Sequence, residues 1–280
     1  MQNNKTAYKR GYLNEDFKLF HINDRSSMDF ESHTHDFHKL ILCLAGSVTY
    51  VIEGKTYILT PWDILLVPRG TVHLSKTDSQ NAYERMVLFI NDSFLDKEGT
   101  DSPLSRRFQL ASSEGQYLYS VRIEKRKDIL NAATELETYS SVQEDFGTDI
   151  LKKSAFLKLM VYINRLSLGE VTVKGAISDE KIDRVIEYIN ENYKKDINVG
   201  AISEKFHISR SYLMHRFKDV TGGSVHSFII QKRLNAALTM LREGRPAMET
   251  ALLCGFSDYT VFYKSFRKAF GYNPTDALAK

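Results

Sequence analysis

"SYLMHRFKDVTG" (211–222) and "TVFYKSFRKAFG" (260–271) carry one pattern at two places in the chain, at a constant offset of 49 residues. Leu213 corresponds to Phe262, Phe217 to Phe266, Lys218 to Arg267 and Gly222 to Gly271. Leu213 and Phe217 are four residues apart, as are Phe262 and Phe266, so each pair shares one helical face. Ser209 and Asp258 stand where an N-cap belongs, and the two glycines where a helix stops. A shorter helix is predicted upstream of each copy, near 199–206 and 246–254, joined to it by "FHIS" and "CGFSD". That is a helix-turn-helix, twice, with "SVHSFIIQKRLNAALTML" (224–241) as one long helix between the copies.

The second helix of such a unit suits the major groove of DNA. With Leu213 and Phe217 turned inward, Arg210, Ser211, Met214, His215 and Lys218 face outward. In the second copy the outward set is Tyr259, Thr260, Tyr263, Lys264 and Arg267. Donors, hydroxyls and cations are the groups that reach base edges and phosphates. The charge balance agrees in sign. From Asp179 onward there are 16 Lys and Arg against 12 Asp and Glu, net +4, whereas the first 178 residues carry −1. The same count would also come from a helical domain whose basic face is merely solvated.

The rest of the chain reads differently. Residues 28–90 alternate short β-branched runs with turns at Ala45-Gly46, Glu53-Gly54 and Thr60-Pro61, which predicts a small barrel or sandwich. Residues 91–120 read as loop, "DKEGTDSPLS" above all. Helical periodicity returns at 126–141 and about 149–168, the latter with Ile150, Ala155, Leu159, Ile163 and Leu166 on one stripe. These two helices belong either to the packing of the barrel or to a homodimer seam. "SLGEVTVKGAISDE" (167–180) lacks periodicity and is the predicted linker. The expectation is a multidomain α+β chain: 1–168 for sensing and dimerisation, 169–178 as linker, 179–280 for DNA. The N-terminal "MQNNKTAYKR" has no apolar run after it, and Cys43 and Cys254 lie in apolar stretches, so a reduced cytoplasmic protein is expected. No apolar run is long enough to span a bilayer.

Beyond these patterns, "IDRVIEYINENYKKDINV", "SEKFHISRSYLMHRFKDVTGGSVHSFIIQKRLNAALTML" and "CGFSDYTVFYKSFRKAFGYNPTDAL" resemble the AraC family of transcription regulators over about 182–278. The resemblance implies a double helix-turn-helix domain on promoter DNA, usually activating transcription with RNA polymerase as a partner. Ala247, Thr250 and Ser203 depart from the family pattern and thin the helical core, and Pro246 opens its helix. Family members often carry an N-terminal cupin-like β-barrel that binds a small effector, and residues 33–73 are similar to it.

"ESHTHDFHK" (31–39) opens that barrel and holds three histidines. Strand parity sends His33, His35, Phe37 and Lys39 to one face and His38 to the other. In metal-binding cupins a glutamate and a later histidine complete such a set. His73 suits the later position, but Lys39 stands in the glutamate's place and its ammonium opposes a dication. Three readings stay open: an effector pocket without metal, structural histidines at a barrel mouth, or a metal site. The first is the expectation, with no cofactor, and a sugar or anionic metabolite as effector bound by His33, His35, Lys39, Trp62, Arg69 and His73. Trp62 would be a stacking platform and Arg69 an anion fork. A metal-dependent cupin enzyme with a helical appendage is the alternative. The chain contains no phosphate-cradling Gly-rich loop and no Gly-x-Ser-x-Gly elbow.

Overall fold

A computed structural model describes residues 13, 15–25, 32–77, 82–98, 103–143, 145–166 and 171–279. The N-terminal "MQNNKTAYKR" and the expectations that touch residues 28–31, 99–102 and 167–170 lie outside the described residues.

Among the described residues, nine strands form two facing sheets. The large one has the order β1 (Phe17–Asp24), β7 (Tyr83–Ile90), β2 (His38–Ala45), β5 (Asp63–Val67), β8 (Leu118–Val121) and β9 (Val171–Val173). The small one has the order β4 (Lys55–Leu59), β3 (Val48–Ile52), β6 (His73–Thr77). The barrel expected from sequence is therefore open. A bulge between Cys43 and Ala45 and a left-handed Gly46 bend the chain from the large sheet into the small one. Ile41 and Val87 from one sheet and Ile52, Tyr57 and Leu59 from the other bury into a common core.

Two helices, α3 (Ile123–Ser141) and α4 (Thr148–Arg165), cover the outer face of the large sheet. Leu40, Leu42, Met86 and Leu88 meet Ile129, Ala133, Leu159 and Ile163 there. The predicted stripe is buried at Ala155, Leu159, Ile163 and Leu166, but Ile150, in the first turn of α4, is 66% exposed. The segment read as loop contains α1 (Asp92–Glu98), α2 (Arg106–Glu114) and β8. Phe94, Leu95 and Phe108 anchor these helices, and so few apolar residues leave little periodicity to detect.

The predicted linker is also ordered in part. β9 extends the large sheet beside β8, and Ile177 exchanges two 2.9 Å backbone hydrogen bonds with Thr56 of the small sheet. Val171-Thr-Val173 thus pairs a strand edge that would otherwise stay open.

The helical half has two cores on one axis. α5 (Glu180–Asn192), α6 (Val199–Lys205) and α7 (Arg210–Thr221) pack on the start of α8 (Val225–Arg242) through Ile186, Ile202, Leu213, Phe217 and Phe228. α9 (Ala247–Leu253), α10 (Tyr259–Phe270) and a closing 3-10 turn (Pro274–Ala279) pack on its end through Leu238, Leu241, Phe262 and Phe266. The repeat reappears in three dimensions. Ser209 Oγ accepts from the Tyr212 N–H and Asp258 from the N–H groups of Thr260 and Val261. Gly222 and Gly271 end the paired helices at φ 72° and 83°, each donating to the carbonyl four residues back. Among the departures, Ser203 satisfies its hydroxyl on the Val199 carbonyl at 2.7 Å, whereas Thr250 is fully buried with no partner for Oγ1.

Candidate effector and DNA-binding sites

His33, His35 and His73 converge ahead of β2, which begins only at His38; His33 is held there by an isolated bridge to His73. His33 and His73 exchange two 3.0 Å backbone hydrogen bonds, which place their rings 4.4 Å apart. The His35 ring lies 4.7 Å from His73 and stacks on Phe37 at 4.2 Å. Lys39 Nζ continues that face, 5.7 Å from the Tyr50 ring and 5.9 Å from Phe89. His38 points the other way, stacked on Phe108 and bonded through Nε2 to Asp92 at 2.7 Å.

Backbone carbonyls choose the tautomers. His35 Nδ1–H donates to the Phe37 carbonyl at 2.6 Å and His73 Nδ1–H to the Thr71 carbonyl at 3.0 Å. In both rings Nε2 is left as a buried acceptor without a hydrogen-bond partner. Burial first, then neighbouring Lys39 and His33 for His35 and neighbouring His33 and His35 for His73, hold both imidazoles well below their usual range, so both are neutral. Burial, helped by Arg85, pushes the Lys39 ammonium down to about 8. Among the described residues, no group of three or more His, Cys, Asp or Glu is arranged to hold a metal ion.

A cavity of about 470 Å³ lies beside this cluster, between the sheets and the helical half. His35, Asp36 and Arg69 line it from one side, and Tyr193, Lys232 and Thr239 from the other. Two expected pocket residues are placed otherwise. Trp62 sits at the far end of β5 from Arg69, its N–H bonded to the Cys43 carbonyl at 2.8 Å and its ring under the Arg126 guanidinium at 5.1 Å. That turn position points it away from the histidines. Arg69 is at the cavity, but its guanidinium is engaged by Asp92 at 3.0 Å and by the Thr239 hydroxyl at 3.2 Å, so it is not an unoccupied anion fork.

Asp36 and Glu53 were not legible as site residues. Asp36 accepts from Arg242 at 2.7 Å, and Glu53 pairs with Lys232 at 2.7 Å. Burial raises the Asp36 carboxyl, with Arg242 opposing the rise. Asn235 adds a hydrogen bond to the Gly70 carbonyl at 2.9 Å and accepts one from Thr34 at 3.2 Å. All of these partners lie on α8, so the helix joining the two helix-turn-helix units is clamped to the sheet half. Val72 is buried within the core of the first unit.

Arg210, Ser211, Met214, His215 and Lys218 are exposed along α7. Thr260, Lys264 and Arg267 are exposed along α10, together with Lys268, which the sequence reading omitted. Tyr259 and Tyr263 are half-buried, with rings 6.4 Å apart, and Tyr263 Oη donates to Asn273 at 2.7 Å.

Comparison with known proteins decides the family. The model of the AraC-like ligand binding domain matches residues 20–160, and that of a helix-turn-helix domain matches 202–280. The chain belongs to the AraC family. As an AraC-family protein it is a DNA-binding transcription regulator with a ligand-binding N-terminal part. Its relatives include the HTH-type transcriptional activator RhaS of Escherichia coli O139:H28, 24% identical over 89% of this chain and 87% of that protein. RhaS of Shigella sonnei is 23% identical over the same shares. ToxT of Vibrio cholerae aligns in structure over 95% of this chain and 98% of its own, at 14% identity and a TM-score of 0.40.

Proposed function

We propose that this chain activates transcription from specific promoters when a small metabolite binds its N-terminal part. The observation that carries the reading is the placement of α8: it bears both recognition helices, α7 and α10, and is clamped to the effector-binding sheets. A ligand with different affinities for the docked and undocked arrangements would shift the population between them. The sign of regulation follows the relatives named as activators.

In this reading Arg210, Ser211, Met214, His215 and Lys218 contact DNA from α7. Tyr259, Thr260, Tyr263, Lys264 and Arg267 do so from α10. Residues 1–168 form the sensing unit, 169–178 connect it, and 179–280 form the DNA-binding unit. The chain acts as a regulator and catalyses no reaction; its partners are promoter DNA, RNA polymerase and a second copy of itself. The exposed apolar residues Ile150, Leu151 and Val161 on the outer face of α4 support a dimer seam there. No described helix is long and apolar enough to cross a membrane, and the working compartment is the cytoplasm, where the DNA is.

The test is promoter binding by mobility shift over a salt series. Arg210→Ala and Lys264→Ala are expected to weaken binding, and a lost phosphate contact lowers the salt slope by about one. Wild-type binding by both variants would overturn the assigned DNA face.

A further inference from the structure

We infer that each recognition helix reads a thymine through its 5-methyl group, with Met214 the reader on α7 and Val261 the reader on α10. The inference rests on the regulatory reading above. It adds a contact residue, Val261, and names the base that each helix selects.

Both side chains are apolar and exposed, Met214 at 51% and Val261 at 49%, and both stand on cationic faces. Met214 lies four residues after Arg210 and four before Lys218, and all three are exposed along one stripe of α7. Val261 has Thr260 beside it, with Lys264 and Lys268 three and seven residues further along the same face of α10, again all exposed. Cations of that length reach the phosphates on the groove walls and hold the helix in place. The apolar side chain on the same face is then left against the base edges. Of the groups a base pair shows in the major groove, only the thymine methyl is apolar. A donor or acceptor edge pressed against Met214 or Val261 would lose its water and gain no hydrogen bond.

The internal repeat sets these two residues apart from their counterparts. The offset of 49 matches Met214 with Tyr263 and Tyr212 with Val261. Each tyrosine is engaged within its own unit. The Lys181 ammonium of α5 lies 5.8 Å from the Tyr212 ring, and Tyr263 donates its hydroxyl to Asn273 at 2.7 Å. Each unit thus commits one of the two positions to a contact of its own and presents an apolar side chain at the other. Val261 also sits in the first turn of α10, where its N–H donates to the Asp258 carboxylate at 3.3 Å. The N-terminal residues of a recognition helix are those that meet base edges. Because α8 joins the two units, the two thymines fall in successive major-groove segments, about 10 bp apart.

The test is a selection followed by removal of single methyl groups. The full chain selects duplexes from a random-sequence library, and a selected duplex is remade with each thymine replaced in turn by deoxyuridine. Deoxyuridine pairs identically and lacks only the methyl. In the wild type, one replacement for each unit is expected to weaken binding roughly fourfold, the equivalent of about 0.8 kcal/mol for one buried methyl. Val261→Ala should erase one of these two penalties and leave the other, and Met214→Ala should do the reverse. Circular dichroism confirms folding, and Val261→Ser or Met214→Ser replaces any variant that fails it. A reader is overturned if the wild type shows no penalty in its half of the duplex, or if its own variant leaves both penalties unchanged. A chain that selects duplexes but ignores the methyl groups loses only this inference. One that selects no sequence loses the regulatory reading with it.

Discussion

Asp36 and Arg242 are 206 residues apart in the chain, yet the guanidinium donates to the carboxylate at 2.7 Å. The side chain of Asp36 is 3% exposed and that of Arg242 27%, so the pair closes the contact between the sheet half and α8 largely out of water. Its value lies less in Coulomb attraction than in what each partner would cost alone.

Removing the arginine should expose that asymmetry. Arg242→Ala leaves a buried carboxylate without its donor and is expected to destabilise the chain by about 1–3 kcal/mol in urea denaturation at pH 7.5. Adding Asp36→Asn should recover part of the loss, and strictly additive effects in the double-mutant cycle would show that the two residues are not coupled.

Acid should weaken the fold through the histidine cluster. The folded-state values of His35 and His73 lie below the ordinary 6.5, so folding is favoured when both are neutral. Their contribution is intact above about pH 6.5 and is lost as the pH falls from there through the folded-state values. His33 and Lys39, which face the same space, add to the penalty for protonation. Urea midpoints at pH 7.5 and 5.5 should drop with acid in the wild type and drop less in His73→Phe; equal drops would dissociate the cluster from acid sensitivity.

Thr250 offers a stabilising change. Its hydroxyl is buried in the second helix-turn-helix unit with no partner, so Thr250→Val removes a desolvation cost while keeping the branched shape. The expected gain is about 1 kcal/mol, read as a higher melting temperature with promoter binding retained. A loss of stability would mean that the hydroxyl has a partner in solution.

Gly222 couples the recognition helix to the sheets. It caps α7 at φ 72°, and a side chain there would collide with Leu74 of β6. Gly222→Ala therefore meets two obstacles, a left-handed backbone and a steric clash across the interface. It is expected to cost about 1 kcal/mol or more in stability and to speed limited proteolysis between the halves, with far-ultraviolet circular dichroism unchanged. Wild-type proteolysis rates would argue that the docked contact is absent in solution.

The double helix-turn-helix was legible from residue order alone because everything that specifies it is local. Caps at Ser209 and Asp258, glycine stops at Gly222 and Gly271, and inward pairs four residues apart all act within one or two turns of helix. Alternation within β2 sets His38 and Lys39 on opposite faces, whereas His33 and His35 precede that strand and meet His73 through an isolated bridge. α1 and α2 have too few buried residues to print a period, and β9 forms because a sheet edge is waiting for it. Trp62 and Arg69 were assigned by side-chain chemistry, which carries no information about direction; backbone and partners turned one away and occupied the other. The cavity depended on contacts of Asp36, Glu53 and Gly70 with α8, across separations no local pattern reports. Only the packed chain brings those groups together, since burial and pairing are properties of neighbours in space.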